Sequence, residues 1–460
     1  MTLIKSTSGL RGTIGGNAGE NLTPIDVVKF VAGYGAWIRE HHKSAKKVVI
    51  GRDARPSGET FARLVTDTLI NLGINVVGLG LSTTPTVAMA VAAEKAQGGI
   101  ILTASHNPAG WNALKFLNER GEFISQEGGN RVLALADGSV EFVPVQKFGS
   151  YKTNDSYIQY HIDQILKHDL VDTEAIKNAN FRVVLDAVNS TGGISILPLL
   201  QQLGVEVKAL FCEPNGSFPH NPEPLPENLQ QISGELKNGQ YDLGIVVDPD
   251  VDRLALVMED GEVFGEEYTL VAVADYVLSR RKGNTVSNLS SSRALRDITE
   301  KYGCEYNSSA VGEIHVVAKM KETNAVIGGE GNGGVIVPEL HYGRDALAAV
   351  ALFLSHLARF GKSVSILRAT YPNYFISKNK IELTPDIDVD GILESIKEKY
   401  KANPINTIDG VKVEFENEWM QLRKSNTEPI IRIFTESQSQ NTAEHLAQKL
   451  LMDIKEIISN

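Results

Sequence analysis

The sequence predicts an α/β protein: three related α/β domains with mixed, mostly parallel sheets, then a C-terminal α+β domain, set around one central cleft. Three observations carry this. Apolar strand-like runs alternate with helix-like stretches, the order that builds parallel sheets. A helix, a glycine and a strand meet in the same way at Gly73, Gly204 and Gly303. The last strand-like run of each unit ends on a polar residue: Ser105, Asp248 or Glu330. Ligands of open α/β sheets bind beyond the carboxyl ends of strands, so these three are expected to share the cleft.

The elements follow in order. Residues 8–13 read as a glycine-flanked loop carrying Arg11. Thr23 as N-cap and Pro24 at the first helical position open a helix to about residue 43. A strand at 47–50 leads through the loop 51–58 to a helix that Gly73 closes. A strand at 74–80, a helix at 85–95 and a strand at 99–102 complete the first unit. Pro108 and Gly110 then force a loop, which Lys115 closes. The second unit has strands at 183–186, 205–210 and Leu243–Val247, with a Pro-rich loop at 213–227. The third has strand-like runs at 285–289, 304–306 and 325–327. Spacings are irregular, which excludes a short-period solenoid. Beyond about residue 375 the pattern changes to a helix near 389–401, strands at 411–419 and 430–435, and a closing helix at about 442–457. The expected domains are 1–150, 151–258, 259–372 and 373–460.

A chain of 460 residues, 42% hydrophobic and 22% charged, has the size and balance for several globular cores. The net charge of −11 argues against nucleic acid or an anionic membrane as partner. It leaves room for a small phosphorylated ligand in a local basic pocket. Cys212 and Cys304 form no metal-like spacing, and reduced thiols are expected. The N-terminus has no apolar signal region, and no run approaches about 18 apolar residues. A soluble cytoplasmic protein is expected.

Four motifs carry chemistry. Thr103-Ala104-Ser105-His106-Asn107-Pro108 places a hydroxyl beside an imidazole at a strand end. It does not fit the Gly-x-Ser-x-Gly elbow of a hydrolase. Asp248, Asp250 and Asp252 alternate ahead of Arg253. At about 4 Å and an effective dielectric of about 20, each carboxylate pair repels by about 4 kcal/mol. A hard divalent cation removes that cost and leaves room for a phosphate oxygen. An EF-hand needs Gly where Arg253 stands. The run 328–334 is rich in Gly, and Glu330 and Asn332 offer the groups that sugar hydroxyls need. Arg423, Lys424, Ser425, Asn426 and Thr427, with Arg432 beyond, suit a phosphate. His41, His42, His315 and His341 show no ligand spacing.

Together these motifs resemble the α-D-phosphohexomutases, the family of phosphoglucomutase, phosphomannomutase and phosphoglucosamine mutase. The resemblance covers essentially the whole chain, in order. It implies four domains in a heart-shaped arrangement, carrying in turn the phosphoserine, the metal, the sugar and the non-reacting phosphate. Ser105 would be the phosphoserine and a Mg²⁺ ligand with Asp248, Asp250 and Asp252. Lys115 would be the general acid/base, His106 would shape the loop, and Arg253 would contact the phosphoserine region. Gly312, Glu313, Glu330 and Asn332 would bind sugar, and Arg423, Ser425, Asn426, Thr427 and Arg432 would hold phosphate. Arg11 matches an arginine of the family's N-terminal loop. The activity implied interconverts hexose 1- and 6-phosphates, with a hexose 1,6-bisphosphate as intermediate and activator, in a monomer or homodimer. Asn332 and Glu313 depart from residues common in hexomutases, and both lie where the sugar is chosen. The leaning is to glucosamine phosphate, with glucose and mannose phosphates next. A non-catalytic sugar-phosphate binder is the alternative from another class.

Overall fold

Three times the chain lays down strands in the same order. The computed structural model describes residues 2–6, 9–43, 46–383, 388–425 and 430–459. The first sheet holds β1 (Ile4–Ser6), β2 (Gly9–Thr13), β3 (Lys47–Arg52), β4 (Asn75–Leu81), β5 (Gly98–Leu102), β6 (Trp111–Leu117) and β7 (Tyr151–Thr153). The second holds β8 (Arg182–Asp186), β9 (Glu206–Leu210), β10 (Leu243–Val247) and β11 (Leu254–Met258). The third holds β12 (Thr285–Asn288), β13 (Tyr306–Ser309), β14 (Ile327–Glu330) and β15 (Gly334–Ile336). Their orders are β4-β3-β5-β6 within the first, β9-β8-β10-β11 in the second and β13-β12-β14-β15 in the third. In each, the first three strands pair parallel and the fourth returns antiparallel. The glycine joints also match: φ is +74° at Gly73, +74° at Gly204 and +69° at Gly303. Only glycine holds that left-handed conformation without strain.

This repeat corrects one expectation. The strands ending at Ser105, Asp248 and Glu330 are not the last of their units. Each turns back into an antiparallel partner, so residues 103–110, 248–253 and 331–333 are hairpin connections. Lys115 therefore stands on strand β6 rather than closing a loop. Arg11 likewise lies on strand β2, which pairs antiparallel with β6, so the described part of the expected loop 8–13 is strand. Glycines had masked that strand, because glycine is a poor strand former by itself.

The central strands are near-continuous apolar runs because both faces are covered. All five residues of β5 and of β10 are buried. One core joins the second and third units, from Ile162 to Tyr371, through the helices Glu266–Arg280 and Ala346–Phe360. The last domain is a five-stranded antiparallel sheet in the order β16-β20-β19-β18-β17. Its strands are β16 (Phe375–Glu382), β17 (Ile405–Asn406), β18 (Val411–Glu414), β19 (Trp419–Lys424) and β20 (Ile430–Ser437). The helices Val389–Lys399 and Gln440–Ser459 accompany it. The expected strand 411–419 is thus a hairpin of two strands. The polar residues from Gln421 to Lys424 belong to β19, where Gln421 and Arg423 are buried. Lys412 Nζ donates to Leu289 O at 2.9 Å, and Val311 N to Asp409 Oδ2 at 3.0 Å, so this domain docks on the third unit. Cys212 and Cys304 are free thiols. No helix among the described residues is long and apolar enough to cross a membrane.

Candidate active site

Ser105 sits at φ +49°, an uncommon conformation for a residue with a side chain. Its surroundings hold it there. Ser105 N donates to Thr103 Oγ1 at 2.9 Å, and Thr103 Oγ1 donates to Asp53 Oδ2 at 2.7 Å. Arg55, 1% exposed, donates to four carbonyls of the hairpin turn: Ser105 and Asn107 at 2.6 Å, Pro108 at 2.5 Å and Trp111 at 3.2 Å. Its Nε pairs with Asp53 Oδ2 at 2.9 Å, and its guanidinium lies 5.0 Å from the Phe218 ring. Arg11 Nη1 donates to Asn107 Oδ1 at 2.9 Å. His106 Nδ1 lies 3.3 Å from Ser105 Oγ. Burial, then Arg253, Arg11 and Arg344, push the His106 pKa down to about 2, so its imidazole is neutral. Glu223 comes within 3.8 Å of His106 Nε2 and 3.9 Å of Arg253 Nη1.

Ser105 Oγ donates to Asp248 Oδ2 at 2.7 Å across 143 residues of sequence. Asp248, Asp250 and Asp252 are fully buried, with carboxylate oxygens within 4.8 Å of one another. Burial and the two neighbouring aspartates push the Asp248 carboxyl well above the usual range. Burial acts the same way on Asp250, but Lys115, with the hydrogen bonds from Thr84 and Asp248, outweighs it and holds that carboxyl down. Lys115 Nζ donates to Asp250 Oδ2 at 2.8 Å, and Thr84 Oγ1 donates to the same oxygen at 2.5 Å. Thr84 is placed by its helix, whose N-cap Thr83 accepts from Thr86 N at 3.1 Å, a cap worth about 1 kcal/mol. Arg344 Nη2 donates to Asp252 Oδ2 at 2.7 Å. Oδ1 of Asp250 and Oδ1 of Asp252, both buried, have no hydrogen-bond partner among the described residues. Two bare carboxylate oxygens beside the Asp248 carboxylate are the donor set a hard divalent cation takes. These residues fit such a cation.

Glu330 lies at the end of β14. Its Oε1 accepts from Asn288 Nδ2 at 2.9 Å and from Gly312 N at 3.3 Å. Burial raises its carboxyl, but Arg344, Asn288, Arg253 and the Gly312 N–H together outweigh burial and leave it lowered. Glu313 begins the helix Glu313–Thr323 and accepts from Arg344 Nε at 2.8 Å; burial pushes its carboxyl up. Asn332 Oδ1 accepts from Gly334 N at 3.2 Å, a bond within its own turn. Arg423 stands opposite Arg432 across β19 and β20, and Asp409 and Glu330 both act on its charge. Ser425 N donates to Ile430 O at 2.9 Å. Asn426 and Thr427 lie outside the described residues.

The geometry brings Ser105, His106, Lys115, the three aspartates, Arg253, Gly312, Glu313 and Glu330 into one set of contacts. Arg423 approaches it from the last domain. Arg55, Asp53, Thr84, Glu223, Asn288 and Arg344 join it without having been singled out in the sequence. For Arg55 a signal existed: 51–58 reads Gly-Arg-Asp-Ala-Arg-Pro-Ser-Gly directly after a strand. His341, which shows no ligand spacing in the sequence, meets His161 at Asp345.

Comparison with known proteins agrees over the whole chain. Models of the phosphoglucomutase/phosphomannomutase alpha/beta/alpha domains I, II and III match residues 2–139, 159–261 and 265–374. The model of the phosphoglucomutase/phosphomannomutase C-terminal domain matches 384–451. The phosphoglucomutase/phosphomannomutase of Thermococcus kodakarensis is 34% identical over 449 residues, covering 96% of each chain. The phosphoglucosamine/phosphogalactosamine mutase of Sulfurisphaera tokodaii is 31% identical over 460 residues, covering 98% of each. A solved phosphoglucomutase/phosphomannomutase family protein from Burkholderia thailandensis superposes with a TM-score of 0.85 at 27% identity, covering 99% of this chain and 97% of that one. With all four domain types matched in order, on a chain whose strand ends bring a serine, three aspartates and a glutamate together, this protein belongs to the α-D-phosphohexomutase family.

Proposed function

We propose that this chain interconverts hexose 1-phosphate and hexose 6-phosphate, with Ser105 as the phosphoryl carrier and glucosamine phosphate as the preferred substrate. The observation that carries the reading is the 2.7 Å bond from Ser105 Oγ to Asp248, beside the bare Oδ1 atoms of Asp250 and Asp252. Phosphoserine at 105 gives its phosphoryl group to a hydroxyl of the bound monophosphate. The 1,6-bisphosphate so formed turns over in the cleft and returns its other phosphoryl group to Ser105. Free 1,6-bisphosphate is the activator that charges the serine. Lys115, as the amine, takes the hydroxyl proton and, as the ammonium, returns it; it stands among the aspartates, whereas His106, its pKa pushed down to about 2, holds a proton poorly. His106 shapes the serine turn, and Arg253 is the cation for the transferring phosphoryl group. Asp248, Asp250 and Asp252, with the phosphoserine, would hold Mg²⁺, which when bound offsets the charge of about −1.5 to −2 on each phosphate. Gly312, Glu313, Glu330 and Asn332 contact the sugar. Arg423, Ser425, Asn426, Thr427 and Arg432 hold the phosphate that does not react, and Arg11 steadies the serine turn through Asn107. In this reading the divisions 1–150, 151–258, 259–372 and 373–460 carry phosphoserine, metal, sugar and phosphate, and the enzyme acts in the cytoplasm.

Glucose and mannose phosphates are the second reading, favoured by the 34% identity to a phosphoglucomutase/phosphomannomutase. A non-catalytic sugar-phosphate binder has no support in the intact set of reacting groups. The experiment is a side-by-side rate comparison on glucosamine, glucose, mannose and N-acetylglucosamine phosphates, with Mg²⁺ and bisphosphate. No turnover on any of them, by protein carrying phosphoserine, would remove the mutase reading. Inorganic phosphate released in excess of isomerised sugar would point to a phosphatase instead.

A further inference from the structure

Arg344 is buried, and its guanidinium is divided among three carboxylates on two domains. Nη2 donates to Asp252 Oδ2 at 2.7 Å, Nε to Glu313 Oε2 at 2.8 Å and Nη1 to Glu330 Oε2 at 3.0 Å. Its shaft crosses Gly334, where a Cβ would fall 2.3 Å from Arg344 Cδ, so the backbone there is open for it to pass. The next residue anchors it from behind. Asp345 Oδ2 lies 2.8 Å from His161 Nε2 and 3.1 Å from His341 Nε2, while Oδ1 caps Ala348 N at 3.1 Å. His161 Nδ1 lies 3.0 Å from Thr86 Oγ1, and Thr84 on the same helix bonds Asp250. A buried polar ring thus runs from Asp250 through Thr84, Thr86, His161, Asp345 and Arg344 to Asp252.

We propose that Arg344 is the positioning residue that couples the cation site to the sugar site. It occupies Oδ2 of Asp252 and leaves Oδ1 for the cation. It occupies Oε2 of Glu313 and leaves Oε1 of Glu313 for a sugar hydroxyl. It also occupies Oε2 of Glu330, whose Oε1 takes Asn288 Nδ2 and Gly312 N, so that this carboxylate is fixed in direction. One rigid fork with separate N–H donors can do this; an ammonium on a flexible stem cannot hold three carboxylates in fixed directions. The inference rests on the reading of Asp248, Asp250 and Asp252 as the cation site and of Glu313 and Glu330 as sugar-binding groups.

The test is Arg344→Lys, which keeps the charge and removes the fork. Mn²⁺ binding is titrated by electron paramagnetic resonance without substrate, and KM and kcat are measured separately. The expected result is Mn²⁺ affinity about tenfold weaker, with KM for the hexose phosphate raised by about as much, in protein that melts near the wild-type temperature. A folded Arg344→Lys variant with wild-type Mn²⁺ affinity and KM would overturn the inference while leaving the cation site standing. If that variant does not fold, Asp345→Asn keeps the guanidinium and loosens its anchor. Both constants should then move in the same directions by a smaller factor, and no movement in either overturns the inference. Wild-type protein that fails to bind Mn²⁺ would remove the cation-site reading as well.

Discussion

Arg55→Met tests whether the serine turn is held by one buried cation. Met fills similar volume but offers no donor. Among the described residues, Asp53, 0% exposed, would keep only the Thr103 hydroxyl at 2.7 Å and the backbone N of residue 55 at 3.0 Å. Burial already raises its carboxyl, with Arg55 the foremost group opposing. Removing one partner of a buried pair costs about 3–5 kcal/mol. The carbonyls of Ser105, Asn107, Pro108 and Trp111 lose this donor at the same time. Most of the cost falls on the segment 103–111, which keeps its bonds to Thr103, Asp248 and Arg11 but loses the donor shared by its four carbonyls. Opening of this segment should become roughly two to four decades more frequent, read by amide hydrogen exchange at residues 103–112. Turnover should fall by about 10²-fold or more, because a reacting atom displaced by about 1 Å costs that much. The double variant Asp53→Asn/Arg55→Met removes the stranded charge and should recover part of the exchange protection but little of the turnover. Exchange and kcat both within about threefold of wild type for Arg55→Met would refute the reasoning.

Ser105→Ala should abolish turnover while hexose phosphate still binds, measured by calorimetry; substantial activity would remove Ser105 as carrier. Arg423→Ala should raise the substrate dissociation constant about tenfold with little change in Mn²⁺ affinity, since Arg423 belongs to the phosphate end of the cleft; equal loss of both would contradict that division. Glu267 accepts from Ser292 N at 2.9 Å, and burial pushes its carboxyl up to about 8 from 4.5. The folded chain keeps a proton there that the unfolded chain gives up, so this group's stabilising contribution is complete below about pH 4.5 and is lost as pH rises towards 8. Glu267→Gln should flatten the fall of thermal midpoint between pH 5 and 8.5 and melt higher than wild type at pH 8; identical pH slopes would rule this out.

The repeated α/β order was legible because it is local. Strand and helix follow from runs of buried side chains, and their joints from glycines at 73, 204 and 303 that adopt positive φ. The reacting residues were legible because their spacings are local too. Asp248, Asp250 and Asp252 lie on one turn, and Ser105 lies at the end of a buried strand. The sequence showed less well what chain return decides. The fourth strand of each unit escaped notice because β6, β11 and β15 are identified by antiparallel partners rather than by their own pattern. The strand carrying Arg11 was hidden by its glycines. Of the contacts between units, the shared cleft of Ser105, Asp248 and Glu330 was legible, but the ion pairs and hydrogen bonds that tie the units together were not. Lys115 reaches Asp250 over 135 residues, Arg344 reaches Asp252 over 92, and His161 reaches Asp345 over 184. Sequence by itself determined which chemical groups end the strands and in what order. Only the tertiary structure decided which cation offsets which carboxylate, because burial brings like charges together from distant segments and makes each need a partner that no local rule supplies.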